Sequence, residues 1–424
     1  MQRKKTIVVG GGASGMLAAL YAARSGAQVT LLERNEKLGK KLFITGKGRC
    51  NLTNAAEMEQ FQRAVLRNPR FLYSAFAQLD NRGMMDFIEG EGVPLKVERG
   101  NRVFPQSDRS SDIIAAMRRA LEHAGVQVRL NTRVKTLLIR DGRCVGVRLW
   151  DGEELLAGEV ILATGGLSYP STGSTGDGHE MAAASGHAVV EPMPALVPIE
   201  TVESWPGTLS GLSLKNVTLS AWVAGPKKEK RIYSQMGEML FTHFGISGPL
   251  ALTLSSLLPA DLSGVRIEID LKPALDAQTL DARLLRDFGE MSRKQLISVA
   301  DGLAPHSLAQ QLLKLAGLSP AQPVNSVTAA QRATLLQVLK AVPLTPKRLR
   351  GFDEAIVTRG GVSVKDINPS TLQSKKVEGL YFAGELIDVD AETGGFNLQI
   401  AFSTGALAGR SAAEAVAARR DVCP

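Results

Sequence analysis

Apolar residues at the start of the chain form two short runs that flank a segment rich in alanine and leucine. The runs cover residues 5–10 and 28–33, and their almost continuous apolar character is typical of buried parallel strands. The segment between them, residues 14–25, is predicted to be a helix that ends near Gly26. The pattern therefore predicts a βαβ unit, whose crossover is right-handed in nearly all known folds.

The periodicity of the remaining chain changes at Pro192 and again near residue 276. Segments before Pro192 and after residue 350 alternate between helical and strand patterns, whereas short β-type runs and then helical periods fill the stretch between. The predicted elements are helices at 69–92, 111–124 and 397–418, strands at 126–130, 134–140, 143–150, 159–163, 352–358 and 378–383, short β runs up to about 271, and helical segments over 276–342.

This order of elements predicts an α/β domain that is built from both ends of the chain. We assign residues 1–190 and 351–424 to that domain. The domain would hold two inserted modules, a β module at 191–275 and a helical module at 276–350. Proline clusters and the change of period mark the boundaries.

The chain is basic, but its cations are dispersed. Fifty Lys and Arg residues against 42 Asp and Glu residues give a net charge of +8, and the isoelectric point is about 9.4. The densest basic runs are 227–231 and 347–350, and aromatic residues, 5% of the chain, do not interleave with either run. Because single-stranded nucleic acid is bound by cations together with aromatic side chains, we do not expect nucleic acid as a partner.

Cysteines and uncharged stretches give no indication of a metal site or a membrane span. Cys50, Cys144 and Cys423 have neither metal-site nor CxxC spacing, and so few cysteines fit a reducing compartment. The uncharged stretches 6–23 and 239–260 are interrupted by glycine, proline or hydroxyl residues, so neither predicts a spanning helix. We therefore expect a cytoplasmic protein with no metal and no membrane span.

A glycine-rich sequence with dinucleotide-binding spacing follows the first strand. Gly10, Gly12 and Gly15 fit G-x-G-x-x-G, and Glu33 ends the second strand. The glycines allow the backbone to approach a pyrophosphate, which the N–H groups of the helix N-terminus can bind. Glu33 can accept a hydrogen bond from an adenosine ribose hydroxyl, and an acid there argues against a 2′-phosphate. The motif predicts an FAD or NAD site, and the alternative is an ordinary glycine turn.

A second glycine-rich segment, residues 45–51, combines cations with flexible backbone. Together with Lys41 it could bind phosphate or an anionic flavin ring; the alternative is a solvated surface loop. Cys50 within it is a candidate catalytic thiol, and the alternative is a small buried side chain.

Three more segments end in residues suited to a bound nucleotide. The apolar run at 160–163 ends in Thr164 and Gly165, and a strand near 380 ends in Gly384 and Glu385, an acid suited to a polyol hydroxyl. The third segment has Gly395 just before the C-terminal helix. The N-terminal N–H groups of that helix would stabilise a group that gains negative charge, as the N1/O2 edge of a flavin does on reduction. Taken alone, this last segment is also explained by a helix that starts after a turn.

In this order the motifs resemble the BaiN-like, or aminoacetone-oxidase-like, NAD(P)/FAD-dependent oxidoreductases of bacteria, flavoproteins of the two-dinucleotide-binding-domain type. The segments that carry the resemblance include GGGASGMLAAL, GKKLFITGKGRCNLTN, ILATGGLSYPSTGSTGDGHEMA, MLFTHFGISGP and TGGFNLQIAFSTG. The resemblance implies an α/β fold, with a Rossmann-like FAD-binding domain, an inserted β-barrel-like module and a helical module. It also implies that FAD is bound noncovalently.

The resemblance further implies which residues surround each part of FAD. Ser14 and its neighbours, including Ala13, would hold the pyrophosphate, Glu33 with Arg34 the ribose, and the backbone of Val134 the adenine. Residues of the second loop would line the isoalloxazine, namely Thr45, Gly46, Gly48, Arg49 and Asn51. Glu385 would meet the ribityl chain, and Asn397 with Leu398 the pyrimidine edge. Lys47 stands where the family pattern has glycine, which leaves the direction of its side chain open.

The resulting prediction is an FAD-dependent oxidoreductase that transfers hydride between flavin N5 and a small molecule of the amine or enone type. The substrate would lie between the FAD-binding domain and the insertion. The chain has no second complete dinucleotide motif, so NAD(P)H would bind in the open cleft as a transient donor, or dioxygen or a quinone would take the electrons. His243 is the candidate general acid or base, with a hydrogen-bonded structural histidine as its alternative. Two other functions stay open, a flavoprotein that acts on tRNA and an FAD-bound protein without turnover.

Overall fold

The computed structural model describes residues 5–225 and 227–418, which divide into two compact units. The second unit is Leu196–Gly351, and the first consists of the chain before and after it. The strands are β1 (Lys5–Val9), β2 (Gln28–Leu32), β3 (Thr53–Asn54), β4 (Leu95–Glu98), β5 (Arg102–Pro105), β6 (Gln127–Arg129), β7 (Val134–Arg140), β8 (Arg143–Leu149), β9 (Glu154–Leu156), β10 (Glu159–Leu162), β11 (Val189–Ala195), β12 (Ile199–Thr201), β13 (Ser213–Val223), β14 (Lys230–Thr242), β15 (Gly245–Ser247), β16 (Val265–Asp270), β17 (Val342–Leu344), β18 (Pro346–Leu349), β19 (Val357–Val362) and β20 (Leu380–Phe382).

The helices follow the same chain order. They are α1 (Ala13–Arg24), α2 (Lys40–Ile44), α3 (Met58–Arg63), α4 (Tyr73–Gln78), α5 (Asn81–Gly90), α6 (Ser110–His123), α7 (Asp177–Ala184), α8 (Trp205–Thr208), α9 (Gly248–Leu257), α10 (Ala277–Glu290), α11 (Leu296–Asp301), α12 (His306–Leu315), α13 (Ala329–Lys340) and α14 (Phe396–Ala418). None of these described helices has both the length and the apolar character that a membrane crossing requires.

The first unit is built on a five-stranded parallel sheet in the order β20-β10-β1-β2-β6. Strand β10 is buried along its whole length, and β1 is buried from Thr6 onwards, as expected for strands that are covered on both faces. The predicted βαβ unit is confirmed, because β1 and β2 pair in parallel on either side of α1. The carboxyl ends of these strands carry the glycine-rich segments identified in the sequence.

Helices α1 and α14 pack closely because small residues face each other. A Cβ atom on Gly405 would lie 2.2 Å from the carbonyl oxygen of Ser14, and one on Gly409 would lie 2.1 Å from that of Ala18. Both distances are shorter than any real side chain tolerates, so only glycine allows this approach. The contact brings the middle of α14 against the start of α1.

Two predicted elements of the first unit differ from the structure. The stretch 69–92 is not one helix, because Asp80 lies in extended backbone between α4 and α5 and accepts a hydrogen bond from Gly83 N at 2.7 Å. An aspartate in this position caps a new helix instead of continuing the old one. The predicted strand at 352–358 begins only at Val357, where β19 pairs with β11 in antiparallel orientation.

The second unit contains a seven-stranded antiparallel sheet in the order β17-β16-β13-β14-β15-β12-β18. Helices α10 to α13 share one hydrophobic core with this sheet, through residues such as Ile267, Leu280 and Leu308. Strand pairing within the described residues is linear and does not join β17 to β18, so the sheet is open and not a closed barrel. The FAD-binding role of residues 1–190 and 351–424, and the two inserted modules, stay predictions.

Candidate functional site

The loop between β1 and α1 has the geometry of a phosphate cradle. Gly10 has a φ of +106°, and a Cβ on Gly15 would lie 1.8 Å from the carbonyl oxygen of Gly10. Gly12 is the N-cap of α1 without any side-chain cap, and a Cβ added to it would meet no atom within 4 Å. The N-terminus of α1 therefore faces open space with uncapped N–H groups, as anion binding requires.

Glu33 holds this loop in place from the end of β2. Its Oε2 accepts a hydrogen bond from Gly11 N at 2.6 Å, and its Oε1 accepts from Asn35 N at 2.8 Å and from Asn35 Nδ2 at 2.7 Å. The side chain is buried, with an exposure of 7%. A carboxylate has about four acceptor positions, so one position is left for a ribose hydroxyl. The ribose contact stays a prediction, and Asn35 is a partner that the sequence motif did not indicate.

Arg34 is held by the loop before α7. Its Nη1 donates to Thr175 Oγ1 at 2.6 Å and lies 3.3 Å from Asp177 Oδ2. Arg133 also binds Asp177, at 2.9 Å and 3.1 Å. Burial acts to raise the pKa of Asp177, but hydrogen bonds from Arg133 and Thr175 outweigh it, so the pKa is lowered. Near them Val134 is buried in β7, and the adenine contact predicted for it stays a prediction.

Lys41, Ser168 and Glu385 form a compact polar cluster at the ends of β10 and β20. Lys41 Nζ lies 2.6 Å from both Glu385 Oε2 and Ser168 Oγ. Glu385 Oε1 accepts from Ser168 Oγ and from Thr358 N, each at 2.7 Å. Burial acts to raise the pKa of Glu385, but the charge and hydrogen bond of Lys41 and the other donors outweigh it and lower the pKa. Glu385 is therefore ionised. The sequence predicted both Lys41 and Glu385 as cofactor-site residues but did not predict that they contact each other.

Gly384 and Gly165, both predicted to contact the cofactor, have left-handed backbone and follow the paired strands β20 and β10. Gly384 has a φ of +74°, and a Cβ there would lie 2.4 Å from Ser14 Oγ, so the strand end β20 closes against the start of α1. Gly165 follows Thr164 with a φ of +75°. Thr164 Oγ1 is buried and has no hydrogen-bond partner among the described residues. A Cβ on Gly178 would lie 1.9 Å from Thr164 Oγ1, so this hydroxyl is closely packed, and the cofactor contacts predicted for Thr164 and Gly165 stay predictions.

The segment 45–51 forms a tight turn whose members face different ways. Thr45 begins a 3₁₀ turn that includes Gly46 and Gly48. Lys47 in this turn is exposed and has a left-handed φ of +59°, which explains why glycine would suit its position. The Arg49 side chain forms ion pairs with Glu98 at 2.5 Å and with Asp108 at 2.6 Å. Its guanidinium lies over the Phe104 ring, 4.2 Å from the ring centroid. Its predicted contact with the flavin stays a prediction.

Cys50 is fully buried in that turn. Burial raises the pKa of its thiol to about 12. A thiol that is protonated at neutral pH is a poor nucleophile, so the chemistry proposed below runs without it. Cys144 is buried as well, and Cys423 lies outside the described residues.

Side-chain amides fix the start of α14. Asn51, with its amide oriented to satisfy both atoms, accepts from Gly395 N at 3.0 Å and donates to Thr53 O at 3.2 Å. Asn397 Oδ1 accepts from Ala391 N at 2.9 Å, and its Nδ2 donates to Ala391 O at 2.9 Å. The Asn397 side chain thus orders the preceding loop, which leaves backbone groups of Asn397 and the half-buried Leu398 as the candidates for the pyrimidine edge.

His243 lies in the second unit, in the two-residue turn between β14 and β15. It is exposed, and its ring meets the neighbouring Phe244 ring edge-on at 4.8 Å. The alternative of a hydrogen-bonded structural histidine stays open. Its role as a general acid or base stays a prediction.

A parallel sheet with an uncapped helix N-terminus, a buried acid at the end of its second strand and glycines at three strand ends defines a Rossmann-type dinucleotide-binding protein. The chain belongs to the family described as HI0933-like protein Rossmann domain, whose sequence model matches residues 4–411. This FAD-binding family confirms the predicted resemblance, and the protein is an FAD-dependent oxidoreductase.

Two curated relatives match almost the whole chain. A 3-dehydro-bile acid delta(4,6)-reductase from Clostridium scindens is 33% identical over 412 residues, which is 96% of this chain and 98% of the relative. A ribosomal RNA dihydrouridine synthase from Haemophilus influenzae is 29% identical over 408 residues, which is 95% of this chain and 97% of the relative.

A solved flavoenzyme structure supports the fold. The 3-ketosteroid-delta4-(5alpha)-dehydrogenase of Rhodococcus jostii, in complex with 4-androstene-3,17-dione, is similar over 97% of this chain and 96% of its own, with a TM-score of 0.52 and 17% identity. This similarity confirms the Rossmann-type α/β fold predicted for the chain.

Proposed function

We propose that this FAD-dependent oxidoreductase reduces a carbon–carbon double bond that is conjugated to a carbonyl group. The observation that supports the proposal is a reaction shared by two relatives with different substrates. One relative is named as a reductase of the 4,6-double bonds of a 3-oxo bile acid, and the other makes dihydrouridine, in which the uracil double bond next to a carbonyl is saturated. Both names describe the same change at the reacting carbons.

The proposed reaction adds one hydride and one proton across the double bond. Bound FAD would supply the hydride chemistry, and a reduced nicotinamide would restore its reduced form. The carbon β to the carbonyl would gain the hydride, and the α carbon would gain a proton from solvent. The chain's part is binding and orientation. In this proposal the N-terminus of α1 holds the pyrophosphate, Glu33 the ribose, and Glu385 a ribityl hydroxyl.

The Lys41–Glu385 ion pair is proposed to line the cofactor site in a fixed orientation. Its two charges offset each other at 2.6 Å, so the pair presents oriented hydrogen-bonding groups without a net charge. The side chains are 22% and 19% exposed, which leaves part of each accessible to a ligand. The backbone N–H groups at the start of α14 would stabilise negative charge on the adjoining ring edge.

Two substrate classes are candidates. A fused-ring 3-oxo enone is favoured by the relative with 33% identity, which covers 96% of the chain. A uracil base in RNA is favoured by the second relative and by the net charge of +8, since phosphate backbones attract a basic protein.

An anaerobic reoxidation experiment tests the proposal. The FAD-loaded protein is reduced with NADH or NADPH and then mixed with 4-androstene-3,17-dione, with a uridine-rich RNA, or with an amine as a control. We expect flavin absorbance to return with one of the first two, and the product to gain two hydrogens by mass. Reduced protein that is reoxidised by dioxygen, but by no conjugated double bond in a broad panel, would refute the proposal.

A further inference from the structure

Two glycines in left-handed backbone precede α14 and set the direction in which this helix begins. Gly394 has a φ of +121° and Gly395 a φ of +99°, and the helix begins directly after them at Phe396. A Cβ on Gly395 would lie 2.3 Å from Thr53 O, so this turn lies directly against β3. Because glycine has the greatest backbone freedom of all residues, other groups must fix the orientation of the peptide between the two glycines.

Two asparagine side chains hold this peptide at both of its polar groups. Asn54 Nδ2 donates to Gly394 O at 3.0 Å. Asn51, in the amide orientation that satisfies both of its atoms, accepts from Gly395 N at 3.0 Å. Asn54 is 3% exposed, and its amide also bonds two backbone groups of the adjoining loops at 3.0 Å each. The peptide therefore cannot turn over without leaving buried donors and acceptors unpaired, which is unfavourable.

A second set of buried hydrogen bonds joins the same strand to the first two turns of α14. Thr53 Oγ1 donates to Gln399 Oε1 at 2.8 Å, and Gln399 Nε2 donates to Leu79 O at 3.1 Å and to Ser403 Oγ at 3.0 Å. Ser403 Oγ in turn donates to Leu79 O at 2.6 Å. Thr53, Gln399 and Ser403 are completely buried. A satisfied polar network of this kind specifies one arrangement of the segments that it joins.

Stability alone does not require polar groups at the start of α14. Apolar contacts already hold this turn, such as the edge-on contact of Phe396 with Phe61, whose ring centroids are 4.8 Å apart. Apolar groups of the same shape can replace both partners of a buried hydrogen bond with little change in stability. Hydrogen bonds add direction, which matters because the first N–H groups of a helix have no acceptor one turn earlier and can bind a ligand.

We propose that Asn54 and the Thr53–Gln399 pair are positioning residues that aim the first N–H groups of α14 at the pyrimidine edge of FAD. They would keep the positive end of the helix dipole beside the ring edge that gains negative charge on reduction. Bound FAD would thereby become easier to reduce, and loss of either contact would lower its reduction potential. The inference rests on the proposed function for the placement of the flavin ring next to α14.

The experiment measures the reduction potential of the FAD-loaded protein against dyes of known potential, so it needs no substrate. The test variants are Asn54→Ala and Thr53→Val, which removes the hydroxyl but keeps the shape of the side chain. Thr53→Ser is the matched rescue variant, since it keeps the hydroxyl that bonds Gln399. Ser374→Ala is the control for a lost buried contact in the same unit, because the Ser374 hydroxyl bonds three groups outside β3 and α14.

We expect Thr53→Val and Asn54→Ala each to weaken the binding of reduced FAD relative to oxidised FAD about tenfold. This change lowers the two-electron potential by about 30 mV and lies within the range that a partly buried helix terminus contributes. Thr53→Ser and Ser374→Ala should keep the wild-type potential, although Ser374→Ala should melt at a lower temperature. If Asn54→Ala does not fold, the comparison of Thr53→Val with Thr53→Ser decides.

A wild-type potential in folded, FAD-loaded Thr53→Val would overturn the positioning role. An equal shift in Thr53→Ser or Ser374→Ala would overturn it as well, because general loss of packing would then explain the effect. If Thr53→Val shifts the potential but the wild type reduces no conjugated double bond, the positioning role holds and the proposed function is contradicted instead.

Discussion

Replacement of Glu33 by alanine tests two roles of its carboxylate, which are to stabilise the β1–α1 loop and to bind the FAD ribose. In the structure Glu33 accepts three hydrogen bonds, one of them from the backbone of Gly11 at 2.6 Å. A net loss of about 1–3 kcal/mol in stability is expected when a buried donor such as Gly11 N loses its acceptor. If the remaining acceptor position binds the ribose, FAD affinity should fall as well, because a hydrogen bond to a charged group contributes roughly 1.5–3 kcal/mol, or about 10- to 150-fold in Kd.

The assay is FAD titration of the apoprotein by fluorescence, together with thermal melting of the same sample. Asn35→Ala is the matched control, since it removes one of the three donors, Asn35 Nδ2, but leaves the carboxylate and its contacts with the backbone N–H groups of Gly11 and Asn35. A folded Glu33→Ala protein with wild-type FAD affinity would refute the ribose role. An equal loss in Asn35→Ala would assign the effect to the loop and not to the carboxylate.

Three further predictions concern packing, the buried thiol and a buried acid. Gly405→Ala sets a Cβ 2.2 Å from Ser14 O, so unfolding in urea should show a loss of about 1–3 kcal/mol, whereas a wild-type midpoint would contradict the close helix contact. Cys50→Ala should keep FAD content and turnover within about twofold, because the thiol is buried and protonated; a much larger loss of turnover would restore the catalytic hypothesis. Asp390 is fully buried beside Arg67 at 2.8 Å, and burial raises its pKa to about 6. A carboxyl whose folded pKa exceeds its unfolded pKa of about 3.9 loses stability as the pH rises between those values, here by roughly 3 kcal/mol in all. Asp390→Asn should therefore lack this dependence in urea unfolding between pH 4.5 and 7.5, and an unchanged pH dependence would show that another group carries it.

Much of the Rossmann core was predictable because its signals are local. Apolar runs at 5–10 and 28–33, the glycines between them and Glu33 all lie within one βαβ unit. In such a unit the spacing along the chain fixes which groups meet. The family resemblance extended this to the class of enzyme, which the comparisons confirm.

Contacts between distant segments were not predictable in the same way. Lys41 on α2 and Glu385 after β20 lie 344 positions apart, and their side chains meet at 2.6 Å only in the folded chain. Arg49 is paired with Glu98 and Asp108, two partners that the sequence did not indicate. An arginine can pair with any nearby carboxylate or phosphate. Tertiary packing decides which of these groups lies within reach, and the spacing of residues along the chain does not show it.

The sequence alone therefore determined the dinucleotide-binding unit, the candidate cofactor and the basic charge of the chain. The tertiary structure decided where that charge meets aromatic surface, because antiparallel pairing sets Trp222 between Arg231 and Arg266 although 35 positions separate the two arginines. Hydrogen bonds between strands join segments that are far apart along the chain. Hydrophobic periodicity is local and shows only which face of a strand is buried. The partner of each strand is selected when all the apolar faces are covered at once.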